Sequence, residues 1–98
     1  MGRYAEALED FDAAIRIDND NADAHFSRGW VNFLLGRFGE AALDFTEAIR
    51  IQPNNRDAYL NRAFSFRHLA DLPENLPQRN YYLQLAREDD DAASRLDN

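Results

Sequence analysis

The sequence has no cysteine, which excludes a disulfide framework, a thiolate metal site and a cysteine nucleophile. It has no lysine either: its 11 basic residues are all arginine, outnumbered by 18 Asp and Glu, for a net charge of −7. Such a surface repels phosphate backbones and anionic lipid at long range, which argues against nucleic-acid and membrane partners. No apolar run approaches signal-peptide length or the roughly 20 residues of a membrane span. Glu6 stands where a myristoylation motif beginning at Gly2 wants Ser or Thr. The expected address is the cytoplasm. Only four Gly and three Pro are present, too few for a flexible chain, whereas 45% hydrophobic and 12% aromatic residues supply a core. With 98 residues, one small domain is expected.

What the sequence does contain is a repeat. Displaced by 34, the segment 2–21 (GRYAEALEDFDAAIRIDNDN) falls on 36–55 (GRFGEAALDFTEAIRIQPNN) with eleven identities in twenty positions and Tyr4 over Phe38. The segment 22–35 falls more loosely on 56–69, with Asp23 over Asp57, Ala24 over Ala58, Arg28 over Arg62 and Trp30 over Phe64. A further step of 34 puts Asp91-Ala92 beneath Asp57-Ala58, so the register is expected to reach the end without an insertion. The chain then divides into the second helix of a partial unit (2–21), a complete unit (22–55), a complete but degenerate unit (56–89) and the start of a further or capping helix (90–98).

Punctuation splits each unit into two helices, giving an all-α chain of tandem helix-turn-helix hairpins. Phe26, Trp30, Phe33 and Leu34 form a one-sided helical stripe. Asn21 and Asn55 stand at N-cap positions, and Gly36 suits the left-handed C-cap. A second stripe of Phe38, Ala41, Phe45, Ala48 and Ile49 runs until Pro53 forbids continuation. Small residues (Gly29 and Ala63 in first helices, Ala7, Ala14, Ala41 and Ala48 in second helices) should let the axes approach closely. After Leu69 the pattern weakens: Asn75, Pro77 and Tyr82 replace expected residues, and a helix is expected from about Leu76 to Arg87. A hairpin of this size cannot bury both faces, so it must stack on its neighbours.

The period of 34, with Gly29, Gly36, Phe38, Ala41, Phe45, Ala48 and Pro53 at those offsets, resembles the tetratricopeptide repeat. The wording FSRG at positions 26–29 and LDFTEAIRIQP at 43–53 is similar to its bacterial-type subclass. The resemblance implies a right-handed α-solenoid that binds a protein or peptide partner, without catalysis or cofactor. In that family the first helices line a concave groove, at positions that here carry Phe26, Trp30, Phe33, Leu60, Phe64 and Arg67, with Asn61 on one position of the carboxylate-gripping variant. Packing against the next repeat is the competing role for Phe26, Phe33 and Trp30.

The candidate chemistry is thin. His25 and His68 hold non-equivalent positions in two first helices and make no metal-ligand spacing, so both read as packing or polar residues. Ser27, Ser65 and Ser94 lie in helical sequence without a nucleophile elbow. The run 18–21 alternates oxygen ligands as a calcium loop does, but Ala22, Asp23 and Gly29 fall where such a loop needs a ligand, a glycine and a Glu. The run 88–91, all acidic, reads as another turn leading into a helix.

Charge describes the partner further. The segment 24–70 carries six Arg against four acids, whereas the leading segment 1–23 carries seven acids against two Arg. An apolar segment with a few basic residues would suit this distribution, its steering fading with salt. The alternative is a structural homo-oligomer joined through the leading helix, whose Leu8, Phe11 and Ile15 lack part of their cover.

Overall fold

A computed structural model describes residues 2–96. Five α-helices follow one another: α1 (Gly2–Ile17), α2 (Ala22–Leu34), α3 (Phe38–Ile51), α4 (Arg56–Asp71) and α5 (Arg79–Leu96), the last preceded by a 3₁₀ stretch, Pro73–Gln78. No strand occurs among the described residues. The all-α hairpin architecture follows from the punctuation. Asn21 and Asn55 cap α2 and α4, each accepting from the amide three positions on, at 3.0 and 3.1 Å. Gly36, at φ 79, ends α2 with Gly36 N donating to Phe33 O (2.9 Å) and Arg37 N to Asn32 O (2.8 Å). That paired closure needs a left-handed residue, which glycine supplies without strain.

The helices stack as a bent array. Successive helices pack together, and the first helices α2 and α4 also touch each other. Among the described residues the second helices α1, α3 and α5 make no such backbone contact with one another. The α2/α4 side is therefore the inside of the bend, and the α1/α3/α5 side is splayed. The core between the layers is built mainly of alanine around Phe45: Ala41, Phe45, Ala48, Ala58, Ala63 and Ala70 are fully buried. Small side chains bring the axes close, and Gly29 brings them closest. A Cβ there would lie 2.8 Å from Phe45 Cε1 and 3.1 Å from Asp44 Cβ.

Close approach lets an arginine from each first helix tie three helices together. Arg28 of α2 grips Asp44 of α3 through Nη2 (2.8 Å) and Nε (3.1 Å) and reaches Asp12 of α1 through Nη1 (2.8 Å). Asn32 Nδ2 donates to the same Asp44 at 3.0 Å. The hydrogen bonds to Asp44 hold the Arg28 guanidinium protonated well above its usual range; burial opposes this and Asp12 adds to it. In the next hairpin Arg62 of α4 grips Asp89 of α5 (2.7 and 2.9 Å) and reaches Thr46 of α3 at 3.1 Å. Thr46 lies one repeat period after Asp12, as Arg62 lies one period after Arg28. The two clamps are one device used twice.

The third hairpin departs from the expected register. In the frame of 34, Ala41, Asp44 and Ala48 should be followed by Asn75, Gln78 and Tyr82; instead Ala86, Asp89 and Ala93 take their buried places, an offset of 45. The added length lies in the longer α4 and in the 3₁₀ stretch, where Pro73 and Pro77 lack amide protons and disfavour an earlier helix start. The helix expected over 76–87 accordingly runs from Arg79 to Leu96. The turn expected at 88–91 is absent. That run contains neither Gly nor Pro, and Asp89 is buried against Arg62 while Asp90 pairs with Arg67, so the acids stabilise the middle of α5. One continuous helix therefore crosses the expected boundary at 89/90.

Three outcomes follow for stability, all readable by urea denaturation. Asp89→Ala leaves the half-buried guanidinium of Arg62 without its carboxylate and should cost about 3 kcal/mol. Gly29→Ala should cost about 1–3 kcal/mol through overpacking against Phe45. Gly39→Ala, where an added Cβ meets nothing within 4 Å, should instead raise stability by up to about 1 kcal/mol.

Candidate functional site

The inner side of the bend is where the expected groove residues fall, and the fold sorts them. Phe26 is half-buried with its ring edge-on to Phe45 at 5.6 Å. Phe33 is held between hairpins, 5.3 Å from Phe38 and 5.2 Å from His68. These two rings are tied into the packing. Trp30 and Phe64, at equivalent repeat positions on α2 and α4, are 43% and 48% exposed, the largest side chains that α2 and α4 leave open to solvent. Trp30 stacks on Phe33 at 5.7 Å, and His68 lies one helical turn from Phe64. An aromatic row thus runs Trp30, Phe33, His68, Phe64 across the junction of α2 and α4.

The remaining groove residues border that row. Leu60 and Asn61 are half-buried on α4. Arg67 lies with its guanidinium 5.9 Å from the centre of the Phe64 ring and is ion-paired with Asp90 of α5. It stands at the rim of the aromatic row, but its charge is compensated from α5, so this face is apolar rather than cationic. His68, read from sequence as an ordinary residue, stacks flat on Phe38 at 4.5 Å and links the two hairpins. Its place was visible only as a turn's distance from Phe64. His25 is buried and donates from Nε2 to the Asn19 carbonyl at 2.9 Å, pinning the turn before α2; its Nδ1 finds no partner among the described residues. Asp20, from the run weighed as a calcium loop, pairs with Arg50 of α3.

The splayed side is different in kind. Between α1, α2 and α3 lies a hollow of about 280 Å³ lined by Leu8, Leu43 and the charged groups of Asp12, Arg28, Arg37 and Glu40. In the next hairpin the places of Asn32 and Arg37 are taken by Phe66 and Tyr82, whose rings stack at 6.2 Å. Aromatic rings fill there what polar side chains leave open here. Leu8 forms one wall of the hollow, Phe11 one wall of a shallower crevice with Ala24 and Ser27, and Ile15 is half-buried. The most exposed large apolar side chain of α1 is Ile17, at 87%.

A family model described as tetratricopeptide repeat matches residues 1–56. No curated protein and no solved structure matches the chain. Among the described residues no helix is long and apolar enough to cross a membrane.

Separating framework rings from open rings predicts two kinds of variant. Phe33→Ala should cost about 3 kcal/mol of stability by removing the ring between Phe38 and His68. Trp30→Ala and Phe64→Ala should each cost about 1 kcal/mol or less. Thermal unfolding followed by circular dichroism distinguishes them.

Proposed function

The chain belongs to the tetratricopeptide repeat family, whose members are generally protein–protein interaction modules and non-catalytic scaffolds; from that premise we propose that it holds an amphipathic or apolar peptide segment against the aromatic row on α2 and α4. The observation that carries this reading is the exposure of Trp30 and Phe64 at equivalent positions on the inside of the bend. Large rings left open beside a rigid framework are the kind of anchor that dominates binding energy. Phe33 backs Trp30, Phe26 packs on Phe45 beneath, Leu60 and Asn61 border the row on α4, and Arg67 offers remaining donors at the rim.

The partner's chemistry follows from what the face lacks. With Arg67 paired to Asp90 there is no cationic clamp for an acidic tail, and the acid-rich leading segment 1–23 favours a partner with a few basic side chains. Nucleic acid and membrane remain disfavoured by the −7 charge, and a cytoplasmic location belongs to the same reading. Self-association through Leu8, Phe11 and Ile15 is the second reading. It draws on the partial cover of α1 and is weakened by the lean of Leu8 and Phe11 onto crevices shared with α2. A strict monomer by light scattering at high micromolar concentration removes it.

Peptides selected from an amphipathic library should quench or blue-shift the fluorescence of Trp30, the one tryptophan. The double variant Trp30→Ala/Phe64→Ala should weaken the selected peptide by about 2 kcal/mol or more in calorimetry. A loss within a few tenths of a kcal/mol would mean that the groove lies elsewhere.

A further inference from the structure

The second hairpin closes a space that the first leaves open. Arg62 carries two rings on its guanidinium, Tyr59 at 5.7 Å and Phe66 at 5.8 Å. One repeat period earlier the counterparts of those rings are His25, turned to the Asn19 carbonyl, and Asn32, bonded to Asp44. Among the described residues no ring lies over Arg28, whose side chain is 27% exposed against 19% for Arg62. Arg28 and Asn32 instead line the hollow of about 280 Å³ between α1, α2 and α3. The wall that α1 contributes, Leu8 and Asp12, lies one period before Ala42 and Thr46, on the side of α3 that meets the following hairpin through Arg62. Ala7, Phe11 and Ala14 lie on an adjoining face of α1, so the hollow does not depend on what packs there.

We propose that the hollow receives the side chain of a tyrosine from a partner protein, its ring stacked on the guanidinium of Arg28. The edges of that guanidinium are engaged: Nη1 donates to Asp12, and Nη2 and Nε donate to Asp44. An added carboxylate or phosphate would meet those acids, which leaves the face of the cation as the part open to a ligand. A π-system is the chemistry that meets such a face. Because the hydrogen bonds already hold the plane in place, little ordering is left for the ligand to bring about. Leu8 and Leu43 supply apolar walls. Arg37 and Glu40 line the hollow as exposed charges, and no ion pair joins either to a described residue. That border of opposite charges suits a ring with a polar tip on a polar surface segment, hence tyrosine rather than phenylalanine. The second hairpin shows what such a place holds: the Tyr82 ring, where Arg37 stands in the first, stacks on Phe66 at 6.2 Å. This outer surface is distinct from the aromatic row on α2 and α4, so neither site depends on the other.

N-acetyl-tyrosinamide, a tyrosine blocked at both ends as it is within a chain, is the probe, titrated into the isotope-labelled full chain by NMR. Saturable ring-current shifts of the Leu8 and Leu43 methyl resonances are expected at about millimolar concentration. N-acetyl-leucinamide should produce none. Asn32→Phe/Arg37→Tyr, which copies the filling of the second hairpin, should weaken the probe about tenfold or more. Leu43→Glu changes an exposed wall residue, leaves folding intact and should weaken it about threefold. Trp30→Ala/Phe64→Ala should leave the affinity unchanged, which separates the hollow from the groove. Absence of saturable shifts up to about 50 mM, an equal response to the leucine compound, or indifference to both hollow variants overturns the proposal. So does free tyrosine binding about tenfold or more tighter than the blocked form, because a small molecule would then be the occupant.

Discussion

The structure depends on one interaction: a guanidinium placed between layers so that it binds a buried carboxylate of its own hairpin and a polar group of the preceding second helix. Arg28 and Arg62 each do this, and each therefore sets both the packing within a hairpin and the placement of one hairpin on the next. A buried pair is directional where an alanine-rich interface is not. Alanines slide over one another at little cost, but Asp89 must meet Arg62 or leave a charge unpaired. Specificity of register is the contribution best matched to this arrangement, since the net stabilisation from such a pair is offset by desolvation.

That constraint explains the third hairpin. The extra length between α4 and α5 would shift every contact if alignment depended on chain length alone. The chain instead absorbs it in a longer α4 and a proline-punctuated 3₁₀ stretch, and α5 is set so that Ala86, Asp89 and Ala93 stand where Ala41, Asp44 and Ala48 stand in α3. One difference remains within the matched register. Asp90 takes the place of Phe45, Ala63 takes the place of Gly29, and Asp90 turns to Arg67 at the edge of the aromatic row. The same change that accommodates a methyl group at the crossing also neutralises the rim of the candidate groove.

The bend links packing to the candidate groove. Among the described residues, first helices that touch and second helices that do not touch produce an inner surface carrying the aromatic row and an outer surface with a hollow. On the inside, Phe33 and His68 bridge hairpins and hold Trp30 and Phe64 open beside them. Of the groove positions expected from sequence, Phe26 and Phe33 spend most of their surface on packing, and Leu60, Asn61 and Arg67 border the open rings. Helical periodicity places all of them on one stripe, yet it carries no account of which ring leans on a neighbour and which faces water. His68 shows the same limit, since its role as a bridge depends on Phe38 of another hairpin.

By itself, the sequence determined the first four helices, the caps of α2 and α4, the all-α class and the repeat of 34 that relates 2–21 to 36–55, because caps, prolines and apolar spacing act within a few positions. Through the resemblance it also carried the family and its inner helices. Only the tertiary structure decided the length of the third unit, because the Arg62–Asp89 pair joins α4 to α5 across the whole 3₁₀ stretch and competes with a local reading in which an acidic run looks like a turn. It alone separated the open Trp30 and Phe64 from the packed Phe26 and Phe33, since burial is a property of neighbours brought in from other helices.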